Sequence, residues 1–380
     1  MFSRLQKFIH LGKESCFFWG ARQTGKSTLL KELFSHAPYY DLLLSEVFER
    51  LSRQPQLLRE DLLLRPSLKT PVVIDEIQLI PKLLNEIHWL TVNHGFQFIM
   101  CGSSPRKLKR KKGNLLGGRA LRYELLPLVA QEIPDFDLVR ALNHGLLPRH
   151  YLAKNSYPLL QAYVGEYLKE EIAAEAAGRS IPAFGDFLQA AAFSNGEIVN
   201  YSNIARECGV SSPTVKEYFQ ILVDTLVGRY VPSYRKRPKR RVLHAPKFYY
   251  FDLGLVNFLL KRGEIQAGGE SFGKAFEHYI YQEIFAYSHY SGKNFPIYYW
   301  HTTSQLEVDF ILGEHEVALE AKSSKNVGAQ HLGGLKAFSE EYKTRHNIVV
   351  SLDPRPRLAS GIHILPWQEF LEKLWAGKII

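Results

Sequence analysis

The sequence predicts an α/β protein, and three observations lead to that class. Short apolar stretches alternate with helical stretches through the first 130 residues, as in a doubly wound sheet. A glycine-rich loop at residues 20–27 separates the first apolar stretch from the first helical one. A further set of alternating elements follows residue 270. At 380 residues, the chain has material for two or three domains with cores of their own.

The pattern of apolar runs and turn residues places the elements of the first part. Strands are expected at residues 16–19, 39–43, 71–74, 96–101 and 121–126, and helices at residues 26–35, 81–93 and 105–116. Residues 131–182 are expected to be helical, most clearly in the alanine- and glutamate-rich run at 163–177. Residues 263–269 are expected to form a linker.

Composition excludes several classes of protein. The chain is 46 % hydrophobic and 23 % charged, as globular proteins are, and no apolar run is long enough to span a membrane. The first ten residues offer no signal-peptide core. Cys16, Cys101 and Cys208 are isolated and lack metal-ligand spacing, which indicates reduced thiols and a cytoplasmic location.

The positive charge is concentrated in two short runs. Residues 106–112 and 235–241 each hold six basic side chains and no acidic one. The remainder holds 36 basic and 38 acidic residues, although the whole chain has a net charge of +10. Such runs attract a polyanion, usually nucleic acid, so DNA is the expected partner. The alternative is that they are solvated surface segments.

The loop at residues 20–27 fits the phosphate-binding pattern G-x-x-x-x-G-K-[ST] at every fixed position. Its glycines let the backbone N–H groups and the following helix N-terminus surround phosphates. Lys26 can reach the β- and γ-phosphates of ATP, and the Ser27 hydroxyl can ligate Mg²⁺. The residues expected to bind nucleotide are Gly20, Ala21, Arg22, Gln23, Thr24, Gly25, Lys26, Ser27 and Thr28, with Asp75 and Ser103.

An apolar strand ending in Asp75 and Glu76 complements this loop. Both carboxylates should reach the carboxyl edge of the sheet, where ligands bind in open α/β folds. Asp75 is expected to hold Mg²⁺ through water, and Glu76 to act as general base toward the attacking water. The second acid favours hydrolysis over phosphoryl transfer by a kinase. The alternative interpretation is a plain strand-end acid.

Two further positions near the expected site have two interpretations each. Ser103 or Ser104, at the end of the strand 96–101, could contact the γ-phosphate or water, or Ser104 could cap a helix that starts at Pro105. Arg119 could act on the nucleotide of a neighbouring subunit, or be a surface residue.

These segments resemble the AAA-type ATPases. The likeness rests on GARQTGKSTLL, PVVIDEIQLIP, the CGSS strand end and GGRALRYELLPL, and it is greatest for a bacterial and archaeal group with a C-terminal domain of unknown function. The resemblance implies a helical lid after the core, with Arg149 as a candidate lid arginine, and possible assembly into a homo-oligomeric ring.

Residues 200–227 fit helix-turn-helix spacing, with helices at 202–207 and 212–226 and a turn at Gly209. Ser212 is expected to cap the second helix; Ala205, Val210, Val215 and Leu222 are expected to form a small core. The basic run 235–241 would then lie in the wing of a winged helix, before a strand at 247–251. Such a module could contact DNA through its wing, or bind only protein.

Acidic residues in the last part form a second candidate site. Glu277 lies in an aromatic helix, Asp309 on a strand, and Glu320 and Lys322 on one face of the next strand. Asp309 and Glu320, with Glu277, could hold Mg²⁺, and Lys322 could orient or deprotonate water. This arrangement resembles the PD-(D/E)XK nuclease superfamily, which implies a restriction-endonuclease-like fold. The alternatives are a solvent-facing charge pair and a fold kept only for binding.

The sequence thus predicts four parts and two alternative functions. The parts are a P-loop AAA-type ATPase core at residues 1–130, a helical lid at 131–182, a winged-helix module at 183–262 and a restriction-endonuclease-like domain at 271–380. The first function is a DNA-associated ATPase that uses ATP and Mg²⁺ to control a nuclease-like domain. The second is a non-cleaving, ATP-dependent switch or scaffold that binds DNA or protein.

Overall fold

The computed structural model describes residues 2–8, 14–65, 69–110, 120–172, 181–236 and 240–380. The chain divides into two compact units. The first comprises Met1–Leu128 and Ile221–Val227, and the second Val129–Gln220 and Gly228–Ile380. None of the described helices combines the length and the apolar character of a transmembrane span.

The first unit alternates strands with helices. In chain order its elements are β1 (Ser15–Trp19), α1 (Lys26–Leu33), β2 (Tyr39–Asp41), α2 (Ser45–Arg53), α3 (Leu57–Leu63), β3 (Val72–Asp75), a 3₁₀ turn (Ile77–Leu79), α4 (Leu83–His94), β4 (Phe98–Gly102), α5 (Pro105–Arg110) and β5 (Ala120–Glu124).

The strands of this unit form a parallel sheet in the order β2-β3-β4-β1-β5. Every residue of β1, β3 and β4 is buried, as expected for a parallel sheet covered on both faces. Because the strands are parallel, the loops after β1, β3 and β4 meet at one edge, which brings together the residues that follow Trp19, Asp75 and Gly102.

The five expected strands are confirmed, and their ends differ by no more than two residues from the expected ones. Helices α2 and α3 were not expected. Each is amphipathic and buries leucines, Leu51 in α2 and Leu58 and Leu62 in α3. Residues 111–116, expected to extend the helix at 105, lie outside the described residues.

The second unit opens with helices and ends in a mixed sheet. Its elements are α6 (Leu138–His144), α7 (Pro148–Leu152), α8 (Tyr157–Ala162), a π-helix (Tyr163–Ile172), α9 (Ile181–Phe193), α10 (Tyr201–Glu207), α11 (Ser212–Asp224), β6 (Gly228–Val231), β7 (Lys247–Tyr250), α12 (Leu253–Leu259), α13 (Glu270–Tyr290), β8 (Ile297–His301), β9 (Glu307–Leu312), β10 (Val317–Lys322), α14 (Gly333–Glu341), β11 (His346–Ser351), β12 (Arg357–Ala359), β13 (Ile362–Pro366) and α15 (Trp367–Trp375).

Helices α10 and α11 are joined by a turn with Gly209 at φ +63°, and β6 pairs antiparallel with β7. The cap of α11 differs from the expected one. Ser211 Oγ accepts the Thr214 N–H at 3.3 Å, so Ser211 and not Ser212 caps this helix. Val210 is only half-buried, while Val215 lies in the core. The last residues of α11 belong to the first unit.

The segment expected to be a linker is tied to the helical part of the second unit. Ile265 is 3 % exposed, its N–H donates to Asn143 Oδ1 at 2.7 Å, and its carbonyl accepts from Asn143 Nδ2 at 3.0 Å. This paired contact anchors the middle of residues 263–269, whose backbone is otherwise irregular.

The C-terminal sheet has the order β12-β13-β11-β10-β9-β8. The pairs β8–β9 and β9–β10 are antiparallel, with Leu319 of β10 opposite Phe310 of β9. The pair β10–β11 is parallel. Helix α13, the expected helix with Glu277, packs near β10. The expected helix with Glu277 and the expected strands with Asp309, Glu320 and Lys322 are therefore observed; β12, β13 and α15 come after them and were not expected individually.

Candidate functional site

The loop between β1 and α1 has a backbone that needs its glycines. Gly25 has φ +95°, which favours glycine. A Cβ on Gly20 would lie 2.6 Å from the Leu125 carbonyl oxygen, so no larger residue fits there. The N–H groups of the first turn of α1 have no acceptor within the helix, which makes this end suited to an anion.

Lys26 is 6 % exposed, and its ammonium is held by the loop itself. Its Nζ donates to the Gly20 carbonyl at 2.8 Å and to the Ala21 carbonyl at 3.1 Å. Thr24 Oγ1 donates to the same Ala21 carbonyl at 2.9 Å. The ammonium is therefore fixed inside the loop without a carboxylate partner in these contacts, which suits it to a phosphate.

Asp75 ends β3 and is 2 % exposed. Its Oδ2 accepts the Tyr39 hydroxyl at 2.5 Å, and its Oδ1 accepts the Glu76 N–H at 3.1 Å. Burial, followed by the hydrogen bond to Asp75, raises the pKa of Tyr39, and the Tyr39 hydroxyl also interacts with that of Ser27. Tyr39 thus joins the aspartate to the loop serine.

Glu76 adopts a left-handed backbone conformation at φ +58°, which is strained for a residue with a side chain. Burial raises the pKa of its carboxyl, although the charge of Lys26 opposes the shift. Gln78 Nε2 donates both to Glu76 Oε2 and, at 3.4 Å, to Ser103 Oγ. Glu76 is thereby connected to the end of β4.

The residues after β4 clarify the two interpretations of the serines. Ser103 is buried beside the carboxylate-bearing loop through its contact with Gln78. Ser104 Oγ is buried and has no hydrogen-bond partner within the described part of the chain, so its hydroxyl does not cap α5 as the alternative required. Arg119 lies outside the described residues.

Arg4 is a contributor to the loop that the sequence motif did not indicate. Its guanidinium donates to the Thr24 carbonyl at 2.8 Å and to the Leu126 carbonyl at 2.6 Å. Phe8 of the same segment packs on Phe18, with ring centroids 5.0 Å apart. The N-terminal segment therefore braces the loop, but no sequence pattern distinguishes this arginine from other surface arginines.

In the second unit, a buried lysine dominates the candidate carboxylate site. Lys247, on β7, is 3 % exposed and lies 2.6 Å from Glu307 Oε1 and 3.6 Å from Glu277 Oε1. Burial opposes the charge of Lys247, but Glu277 and Glu307 outweigh it and raise its pKa. Burial also raises the pKa of Glu277, whose Oε1 accepts the Tyr249 hydroxyl at 2.6 Å.

A second lysine pairs with the two strand carboxylates. Lys322 Nζ lies 3.0 Å from Glu320 Oε2 and 3.8 Å from Asp309 Oδ2. Asp309 also accepts the Ala321 N–H at 2.9 Å. Burial and then the charge of Asp309 raise the pKa of Glu320, while Asp309 raises that of Lys322. The strands thus place Asp309, Glu320 and Lys322 together, as expected.

The acids of this cluster are paired within the protein, and the expected metal site stays a prediction. Within the described ranges, no three His, Cys, Asp or Glu side chains converge so as to hold a metal ion. Glu277 is engaged by Lys247 and Tyr249, and Glu320 by Lys322. The arrangement is an internally paired network of acids and lysines, so no metal-dependent step is derived from it.

Several described cations of the basic runs are paired with acids. Arg106 lies 2.9 Å from Asp224, and Lys236 lies 2.8 Å from Glu314. Arg240 contacts Glu341 at 2.7 Å and Glu340 at 2.5 Å. Residues 111–112 and 237–239 lie outside the described ranges.

Comparison with known families divides the chain into three parts. Residues 13–134 match a family described as "AAA domain". The sheet order, the phosphate loop and the Asp75–Glu76 strand end all lie in this part.

Residues 13–134 are a P-loop AAA-type ATPase domain.

The other two parts match families without a known role. Residues 135–266 match a domain of unknown function (DUF8612), and residues 272–370 match a domain of unknown function (DUF4143). No curated protein matches the chain. Among solved structures, the Orc1 protein of Aeropyrum pernix in complex with DNA is 14 % identical, with 65 % of this chain and 86 % of that chain covered and a TM-score of 0.22. This likeness is too slight to bear on fold or function.

The residues of the AAA domain fit ATP and Mg²⁺. Gly20 lets the backbone approach closely where a Cβ would clash, and among the described residues the Lys26 ammonium donates to neutral carbonyls. Ser27 and Asp75 supply the oxygen donors that Mg²⁺ prefers, and Tyr39 links them. When bound, the ion would neutralise phosphate charge.

Proposed function

We propose that the protein is an ATP-hydrolysing switch whose C-terminal part binds a partner without cleaving it. One observation supports ATP hydrolysis: Lys26, Asp75 and Glu76 meet at the carboxyl edge of a parallel sheet. A buried cation, a metal-orienting aspartate and a second acid beside it are the parts that NTP hydrolysis needs.

Each residue then has a distinct task. The loop amides and Lys26 bind the phosphates, and Ser27 and Asp75 hold Mg²⁺. Glu76 accepts a proton from the attacking water, which its raised pKa favours. The Thr24 and Ala21 contacts hold the loop in shape.

Two variants test the ATPase half. Lys26→Ala should abolish ATP binding, because the phosphates lose their buried cation. Glu76→Gln should retain ATP binding but lower turnover by about 10²- to 10⁴-fold, the usual contribution of a general base. Phosphate release and the affinity for a fluorescent ATP analogue report the two steps. The exposed Lys69→Ala serves as control. Turnover that survives both substitutions would refute the assignment.

The helical lid, the winged helix and the restriction-endonuclease-like domain remain parts of the proposal. The order of α10, α11, β6 and β7 supports the winged helix, and the order from α13 to β11 supports the nuclease-like fold. Ring assembly and a cytoplasmic location remain predictions.

The pairing of lysines with acids supports binding over cleavage. Lys247 and Lys322 already pair with Glu277 and Glu320, two of the side chains that a nuclease would turn to a metal ion. The second candidate, a DNA-cleaving domain under ATP control, is favoured by one observation: Asp309, Glu320 and Lys322 lie together on adjacent strands.

DNA is the proposed partner, on the strength of the +10 net charge and the two basic runs. A gel-shift series with plasmid and linear DNA separates the candidates. Binding should weaken steeply with salt, as phosphate contacts do, without strand scission in Mg²⁺ or Mn²⁺, with or without ATP. Scission that disappears in Glu320→Ala would establish the nuclease candidate instead. Binding that is absent at low salt would exclude DNA as partner.

A further inference from the structure

Gln78 lies between the residues that follow β3 and those that follow β4. It lies in the 3₁₀ turn Ile77–Leu79 and is 5 % exposed. Its single side-chain nitrogen donates to Glu76 Oε2 and to Ser103 Oγ, so both of its N–H bonds are used. One amide therefore contacts both the expected base and the serine that follows β4.

The chemistry of the two acceptors fixes the orientation of this amide. The opposite orientation would set the Gln78 oxygen against the Glu76 carboxylate, and two acceptors repel each other. The observed orientation leaves Gln78 Oε1 buried without a hydrogen-bond partner among the described residues, at a cost in free energy. The contact with Glu76 outweighs that cost because a hydrogen bond to a charged group is the stronger one.

Gly102 provides the space for this arrangement. A Cβ at position 102 would lie 2.2 Å from Gln78 Oε1 and 2.8 Å from a ring carbon of Trp19. Any larger residue at 102 would therefore displace the Gln78 amide from its two partners. The glycine of the CGSS strand end is explained by Gln78 and not by backbone conformation, since its φ is not in the left-handed region.

We infer that Gln78 is a positioning residue for ATP hydrolysis, which orients the Glu76 carboxyl toward the attacking water and leaves the Ser103 hydroxyl proton free to be donated. The inference rests on the proposed ATPase function. One Glu76 oxygen is tied to Gln78, so the other is the acceptor for water. Ser103 accepts from Gln78, so its own O–H points elsewhere, and a phosphate oxygen is the acceptor that the site would supply.

The positioning role predicts which step of the reaction should change. A side chain that orients the proton acceptor affects the chemical step and leaves ATP binding intact, so its loss should lower turnover and not affinity. Because the effect acts through Glu76, it should disappear when Glu76 is replaced. A residue that merely filled space would not show this dependence on Glu76.

Gln78→Met is the test, because methionine keeps the size and removes the donor. Turnover should fall about tenfold to a hundredfold, the effect of losing a hydrogen bond to a charged group, while the affinity for the ATP analogue stays nearly unchanged. Gly102→Ala should reproduce this result by displacing Gln78. In a Glu76→Gln background, Gln78→Met should have no further effect on residual turnover. The exposed Gln54→Met is the matched control.

The outcomes distinguish failure of the proposed ATPase function from failure of the role inferred for Gln78. Wild-type protein that binds but never hydrolyses ATP would overturn the proposed function together with this inference. If the wild-type protein hydrolyses ATP, unchanged turnover in both Gln78→Met and Gly102→Ala, or an equal further loss of turnover in the Glu76→Gln background, would overturn the inference alone. Thermal melting of each variant shows whether it is folded. If Gln78→Met does not fold, Gly102→Ala tests the role of Gln78 in its place.

Discussion

At the scale of single residues, burial decides what the carboxylates of the second unit do. Glu320 is 4 % exposed beside Asp309, and burial and this neighbour raise its pKa. Lys322, 3.0 Å away, compensates only in part. Side-chain spacing in the sequence indicated this cluster, but Lys247, which is distant along the chain, was not expected in it.

This burial predicts how stability depends on pH. At pH below the ordinary glutamate value of 4.5, folded and unfolded chains both carry the Glu320 proton. As pH rises, the unfolded chain loses it first, so the folded state binds more protons and the free energy of unfolding falls until the raised pKa is passed.

Glu320→Gln should therefore stabilise the second unit at pH 8, by about 1 kcal/mol per unit of pKa shift removed, and flatten this decline. Urea unfolding at pH 5 and pH 8 measures both effects. The exposed Glu372→Gln should leave the profile as in wild type. Equal slopes in all three proteins would show that Glu320 does not titrate in this range.

At the scale of elements, the sequence predicted strands better than contacts. The five strands of the parallel sheet follow from apolar runs, because burial on both faces leaves such runs as a direct signal. Helices α2 and α3 were missed because the polar residues around Leu51 and Leu58 resemble a loop. Tyr39, Gln78 and Arg4 escaped notice because each reaches the site through the fold and not through a motif.

The end of α11 and the residues just after it belong to the first unit, although the residues on either side of them in the sequence belong to the second. Asp224 pairs with Arg106 at 2.9 Å, and Leu226, 6 % exposed, belongs to the apolar cluster that contains Trp19 and Leu108. The sequence placed these residues only at the end of the second helix of the helix-turn-helix and did not indicate their contacts, since periodicity reports which face is apolar but not what it packs against.

Leu226→Ala should destabilise the first unit by about 2–5 kcal/mol, the range for removing a buried leucine. The measurement is urea unfolding followed by loss of ATP-analogue binding, which reports on this unit. Leu64→Ala, at a position 85 % exposed, should change it little. A midpoint for Leu226→Ala that matches that control would contradict its place in the core.

At the scale of the whole molecule, charge and organisation were predictable to different degrees. The phosphate loop and the Asp75–Glu76 pair could be read from the sequence because fixed spacing suffices there. The pairing of Arg106, Lys236 and Arg240 with acids could not, because each partner is distant in sequence. The electrostatic attraction available to a polyanion is therefore smaller than the two runs suggest.

The return of Ile221–Val227 to the first unit has a consequence for synthesis of the protein on the ribosome. Residues up to Leu128 emerge long before Leu226, which lies 98 residues further along the chain. At about 5–20 residues per second, the ATPase core lacks its last apolar contact for roughly 5–20 s. During that interval a nascent chain exposes the surface that Leu226 covers, so completion of the nucleotide-binding unit must wait for the middle of the protein to be translated.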